Sequence, residues 1–260
     1  MKKNFRLCIV TSIVLIVSAC GIRNFKNSNI SSNIEQTKNI AIIGDSQTAG
    51  DYGKRLAERI IYNSSQKLVY FGGASSARIH HWIDGGFTAI PSNAFRSCQS
   101  GGNQSCKPTL TANKQTQSIK SIMNQYPKID SFIITLGDNH YYDPNSTASF
   151  TQELVEEIIS AGRKCAFITP TIALGKFKDK SIMLAGIKQG IEKVRLKHSR
   201  TCLLIDSYTF GSDVIKTNPD RDLITKSLQA DSMGLHPSGV GAKLWADRVF
   251  DKLLAERFLD

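Results

Sequence analysis

No Cys-x-x-Cys pair occurs in the chain, and its one pair of neighbouring histidines, His80-His81, is adjacent rather than spaced for a shared ion. A zinc site is therefore not expected, and the chain is read as needing no metal and no cofactor. Basic clusters interleaved with aromatic residues are missing too. The formal charge is +11, but the lysines and arginines are scattered along the sequence, which argues against a nucleic-acid partner. Attraction to an anionic membrane or cell-wall polymer needs less, and solvated helix faces need less still. No repeat or low-complexity stretch interrupts residues 39–260. With seven prolines and 41% hydrophobic residues in 260, the composition suits one large α/β domain with a substantial core.

Long apolar runs are also scarce. Leu7 to Val17 is the one near the start, and it is too short for a confident membrane span. It follows Lys2, Lys3 and Arg6, a positive leader typical of export signals. Without these three charges the balance is 30 basic against 22 acidic residues. The run ends in Val17-Ser18-Ala19-Cys20-Gly21, which resembles the bacterial lipoprotein signal, in which the cysteine is lipidated and becomes the new N-terminus. That resemblance implies a signal peptide over 1–19, lipidation of Cys20 and a membrane-held protein of the cell envelope. The location would be the outer membrane or periplasm of a Gram-negative cell, or the cell surface otherwise. An uncleaved anchor and ordinary cleavage near Ala19 are the alternatives. Gly21 to Lys38, rich in Asn and Ser, reads as a flexible tether, so residues 20–38 precede a single domain over 39–260.

With Cys8 in the leader and Cys20 assigned to lipid, Cys98, Cys106, Cys165 and Cys202 remain, an even number that suits an oxidising compartment. Cys98 and Cys106 flank a turn-forming loop, and a local disulfide is expected between them. Cys165 and Cys202 each open an apolar strand and could pair or merely pack.

Five continuous apolar, β-branched runs at about 39–43, 67–71, 131–136, 164–169 and 202–206 predict strands buried on both faces of a parallel sheet. Helical periodicity lies between them at about 52–65, 114–126, 147–162 and 178–198, and a last helix is expected over 238–257. The alternation predicts one three-layer α/β/α domain. Residues 73–113 read as a long irregular connection, and loops of that length are usually functional, so it is expected to wall the substrate site.

Four strand ends carry the chemistry. Ile40-Ala41-Ile42-Ile43 stops at Gly44-Asp45-Ser46, so Ser46 sits on a strand-to-helix turn at the carboxyl edge of the sheet. Taken alone the triplet is weak, since Asp and Ser cap helices routinely. Downstream come Val69-Tyr70-Phe71-Gly72-Gly73, then Ile133-Ile134-Thr135-Leu136-Gly137-Asp138-Asn139, then Asp231-Ser232-Met233-Gly234-Leu235-His236. In that order the four blocks resemble the SGNH (GDSL) hydrolase family, over roughly residues 39–257. The resemblance implies a five-stranded parallel sheet of flavodoxin-like order 2-1-3-4-5 and a carboxylic ester hydrolase. Ser46 would be the nucleophile and His236 the base. The backbone N–H groups of Ser46 and Gly73 and the amide of Asn139 would be the oxyanion donors. The family aspartate three residues before the histidine is Met233 here. Asp231 is expected to replace it, with a backbone carbonyl as the alternative. Asp45 is expected to brace the turn rather than titrate.

The segment Gly44 to Asp51 also looks like the nucleophile segment of peptidoglycan O-acetylesterases, apart from Gln47. The expected substrate is an acylated cell-wall or surface carbohydrate. A lipid ester or thioester, and a catalytically silent carbohydrate-binding lipoprotein, are the alternatives. A monomer is expected. Arg78, His80, His81 and Trp82, and then Tyr141 and Tyr142, either line the cleft or pack their loops.

Overall fold

The computed structural model describes residues 37–91, 94–101, 104–139, 143–174, 179–200, 202–208, 226–228 and 234–260. Cys8, Cys20, the leader and nearly all of the tether lie outside the described residues, as do Asp231, Met233, Tyr141 and Tyr142.

Each predicted strand forms. β1 is Asn39–Gly44, β2 Lys67–Ala74, β5 Ile129–Thr135, β6 Lys164–Ile168 and β7 Leu203–Ile205. These five run parallel in the order β2-β1-β5-β6-β7, the arrangement expected of them. The sheet is nevertheless seven-stranded and mixed, which corrects the expected five. The two extra strands come from the connection read as irregular. β3 (Phe95–Gln99) pairs antiparallel with β2, and β4 (Thr109–Thr111) pairs antiparallel with β3 at the sheet edge. Phe-Arg-Ser-Cys-Gln and Thr-Leu-Thr are short and largely polar, and β4, the edge strand, is the shorter of the two, as edges that avoid open pairing tend to be.

Among the described residues, complete helices are α1 (Ser46–Ala49), α2 (Asp51–Asn63), α3 (His80–Ile83), α4 (Ile119–Gln125), α5 (Pro144–Ser160), α6 (Ser181–Lys197) and α7 (Gly239–Ala255). Alternation along β1 divides the core. Ile40 and Ile42 pack with Tyr52 and Leu56 of α2 and with Trp245, Val249 and Phe250 of α7. Ala41 and Ile43 belong to the opposite layer, with Trp82 of α3, Ile122 of α4, Leu154 of α5 and Ile187 of α6. Both faces of the sheet are thus covered, as a parallel sheet requires. The α2–α7 seam is sealed by the stacked rings of Tyr52 and Trp245, 3.7 Å apart, and by Arg55 donating from Nε to Asp247 at 2.9 Å.

Cys98 and Cys106 are bonded as expected, with Cα atoms 5.6 Å apart. Cys165 and Cys202 are bonded as well, across the start of β6 and the residue before β7, with Cα atoms 4.7 Å apart. Among the described residues no helix is long and apolar enough to cross a membrane, and no cluster of His, Cys, Asp and Glu is grouped to hold a metal ion.

Candidate active site

The first three blocks meet because β2, β1 and β5 end at one level. Gly44 is in register with Gly73 on one side and with Thr135 on the other. The chain leaves β1 through Asp45, whose carboxylate accepts from the Gln47 backbone N–H at 3.0 Å and so caps α1. Ser46 is the first residue of that helix and is partly exposed. Glycine is required at 73 by packing. A Cβ there would lie 2.5 Å from the Ala49 nitrogen and 2.6 Å from the Thr48 carbonyl carbon, so α1 rests directly on β2. The family resemblance implies an oxyanion donor at Gly73; the structure adds a steric reason for the glycine.

His236 arrives from the far end of the chain. Its Nε2 is 2.7 Å from Ser46 Oγ, a hydrogen bond across 190 residues. The loop that carries it is fastened on several sides. Leu174 N–H donates to the Gly234 carbonyl at 2.7 Å, Gln47 Nε2 donates to the Leu235 carbonyl at 2.9 Å, and Gly239 N–H donates to Asp51 Oδ2 at 2.9 Å. Asn139, half-buried after β5, donates from Nδ2 to the Ala77 carbonyl at 2.9 Å, and its amide carries a second hydrogen. The connection 73–113 therefore touches the site through Ala77. It does so again through Arg96, whose Nε donates to the Ala49 carbonyl at 2.7 Å.

Beneath Ser46 lies a buried polar layer that the sequence did not disclose. Asp138 Oδ2 accepts from Gln47 Nε2 at 2.6 Å, and Asp138 Oδ1 accepts from Lys180 Nζ at 2.5 Å. Lys180 Nζ also donates to the Thr171 carbonyl at 2.7 Å. The side chains of Asp138 and Lys180 are fully enclosed. Asp45 is enclosed as well, and its carboxyl is held well above the usual carboxylate range by burial and by the charge of Asp138. The Gln47 N–H, Lys180 and the Asp138 backbone oppose that rise without cancelling it. Gly137, at φ +138°, makes the turn that delivers Asp138 and Asn139, and a Cβ there would meet Met183 at 2.8 Å.

The aromatic group of the connection packs its own loop. Trp82 is wholly buried, and its ring lies against Gly72, where an added Cβ would stand 2.6 Å from it. His81 stacks on Phe87 at 3.8 Å, and His80 sits 5.0 Å from Phe150 of α5. Burial and the neighbouring His80 and Arg78 hold the His81 imidazole down at about 4. Trp82 is thus core and offers no face to a sugar. A cavity of about 540 Å³ between α4 and α5 is lined by Lys120, Met123, Gln152 and Glu153 among others, and by none of the expected site residues.

No family model matches the chain, and no curated protein matches it in sequence. Solved structures do match in shape. One is described as the crystal structure of LAE5, an alpha/beta hydrolase enzyme from the metagenome of Lake Arreo, Spain. It is 15% identical, with a TM-score of 0.53 over 86% of this chain and 96% of that one. At that identity the match establishes a shared α/β fold. A second, described as a peptidoglycan O-acetylesterase in action, is 13% identical over 86% of this chain and 91% of that one, with a TM-score of 0.46.

Proposed function

We propose that the chain is a serine esterase of the SGNH type, and the observation that carries this is the 2.7 Å contact between Ser46 Oγ and His236 Nε2 at the carboxyl edge of the sheet. In this reading His236 takes the Ser46 proton as the hydroxyl attacks an ester carbonyl, then returns it to the departing alcohol. The tetrahedral oxyanion is met by the N–H groups of Ser46 and Gly73 and the amide of Asn139, where one such donor is worth about 3 kcal/mol in the transition state. Water activated by the same histidine then frees Ser46 from its acyl group. Asp231, outside the described residues, is the proposed orienting carboxylate. The substrate class is a small acyl ester on cell-wall or surface carbohydrate. It is supported by the export-type leader, the net positive charge and the likeness of Gly44 to Asp51 to the nucleophile segment of peptidoglycan O-acetylesterases. Lipidation of Cys20, a tether over 20–38 and a monomeric domain over 39–260 complete the reading.

Hydrolysis of a p-nitrophenyl acetate-type ester by wild type and by Ser46→Ala decides whether the chain is an esterase. Turnover should fall to background in Ser46→Ala. Equal rates would leave a silent binding protein in its place. Release of acetate from O-acetylated peptidoglycan, set against release of long fatty acids from lipid esters, then separates the carbohydrate and lipid classes.

A further inference from the structure

The buried layer under Ser46 reaches every block of the site except the glycine, and always at one remove. Gln47 follows Ser46, Asp138 precedes Asn139, and Leu235, whose carbonyl Gln47 holds, precedes His236. Gln47 spends one amide hydrogen on Asp138 at 2.6 Å and the other on Leu235 at 2.9 Å. Asp138 divides its oxygens between Gln47 and Lys180, which fixes the carboxylate plane and with it the turn that leads into Asn139. Lys180, the residue before α6, ties the layer to the loop after β6 through Thr171. We propose that Gln47, Asp138 and Lys180 form a positioning network that holds Ser46, Asn139 and His236 in register, with the Lys180 ammonium as the charge on which the network depends.

The charge argument follows from burial. Asp45 and Asp138 are both inaccessible to solvent, and Lys180 is the buried cation beside them. A buried charge stripped of its partner is costly, whereas replacing both partners by neutral groups is tolerated far better. The layer therefore answers differently to losing Lys180 alone and to losing Lys180 and the Asp138 charge together. Mere support of the fold would show in thermal stability and spare the division between kcat and KM.

The inference rests on the esterase reading, and three variants test it on a small acyl ester. Gln47→Met keeps the side-chain length but removes both donors. It should fold, with kcat down about 100-fold and KM within about threefold, as expected when reacting groups are displaced by about an ångström. Lys180→Met should lose at least as much. Lys180→Met combined with Asp138→Asn should recover at least about tenfold over Lys180→Met, because the new amide oxygen still accepts from Gln47 and needs no cation. Folded Gln47→Met with kcat within about threefold of wild type, or with a loss confined to KM, overturns the network. Absence of recovery in the double variant overturns the role given to the Lys180 charge. If Lys180→Met does not fold, Gln47→Met and the double variant decide on their own. A wild type no faster than Ser46→Ala sinks the esterase reading itself, whereas an active wild type with unimpaired Gln47→Met sinks only the network.

Discussion

A hydrogen bond to Nε2 leaves the other imidazole nitrogen to be oriented, and that is the residue-level problem of this site. In a serine triad the carboxylate sets the tautomer and stabilises the imidazolium as attack proceeds. With Asp231 in this role, Asp231→Asn should lower turnover about ten-thousand-fold in a folded protein. With a backbone carbonyl in its place the same change should cost less than about tenfold, or about 1.4 kcal/mol. Steady-state kinetics on the purified variant distinguish the two, with circular dichroism to confirm the fold. At this scale the sequence nominates Ser46, Gly73, Asn139 and His236 on chemical grounds, and the structure brings Ser46 and His236 into contact. The sequence was silent on Lys180. A lysine preceding a helix in a basic chain looks like any solvated lysine, and its partner Asp138 lies 42 residues away.

Among the elements, α3 shows how a histidine pair that suggests a binding site can be packing instead. His81 accepts from the Arg78 N–H through Nδ1 at 3.0 Å and lies flat on Phe87. Its folded pKa of about 4 lies below the ordinary 6.5, so the folded state favours the neutral ring. The unfolded chain then binds more protons between those two values. The stability His81 contributes is complete above 6.5 and is lost as pH falls toward 4. Urea midpoints should accordingly drop from pH 7 to pH 4.5, and by less in His81→Asn, where an amide oxygen can accept from Arg78 but does not titrate in this range. An equal drop in both proteins would remove His81 from the acid response. The long elements were legible because β-branched runs and helical periods extend over many residues, as in β1 and α7. β3 and β4 were not, because a strand of three to five polar residues carries no period to read. α1 was missed for the same reason, being a single turn whose Asp45 cap was visible but whose length was not.

At the scale of the whole molecule, the sheet was foreseeable in its parallel core and not in its extent: alternation predicts parallel strands, the family resemblance implies the order β2-β1-β5-β6-β7, and the antiparallel border follows from contacts. The proposed lipid attachment at Cys20 lies in the chain ahead of the sheet. Cys20→Ser should abolish labelling by a radioactive fatty acid and move the protein from the membrane fraction to the soluble one. Undiminished labelling would refute lipidation at Cys20. One strand connects that question to the chemistry. The leading segment joins the domain at the start of β1, and Ser46 stands just beyond its other end. Six residues of strand span about 20 Å, and the 18 residues from Gly21 to Lys38 can extend no more than about 65 Å. A copy held at Cys20 therefore has a radius of action. Ester bonds farther than roughly 85 Å from the bilayer that holds it would be beyond such a copy however fast the serine reacts, so lipidation at Cys20 would confine the proposed chemistry to a layer next to that membrane.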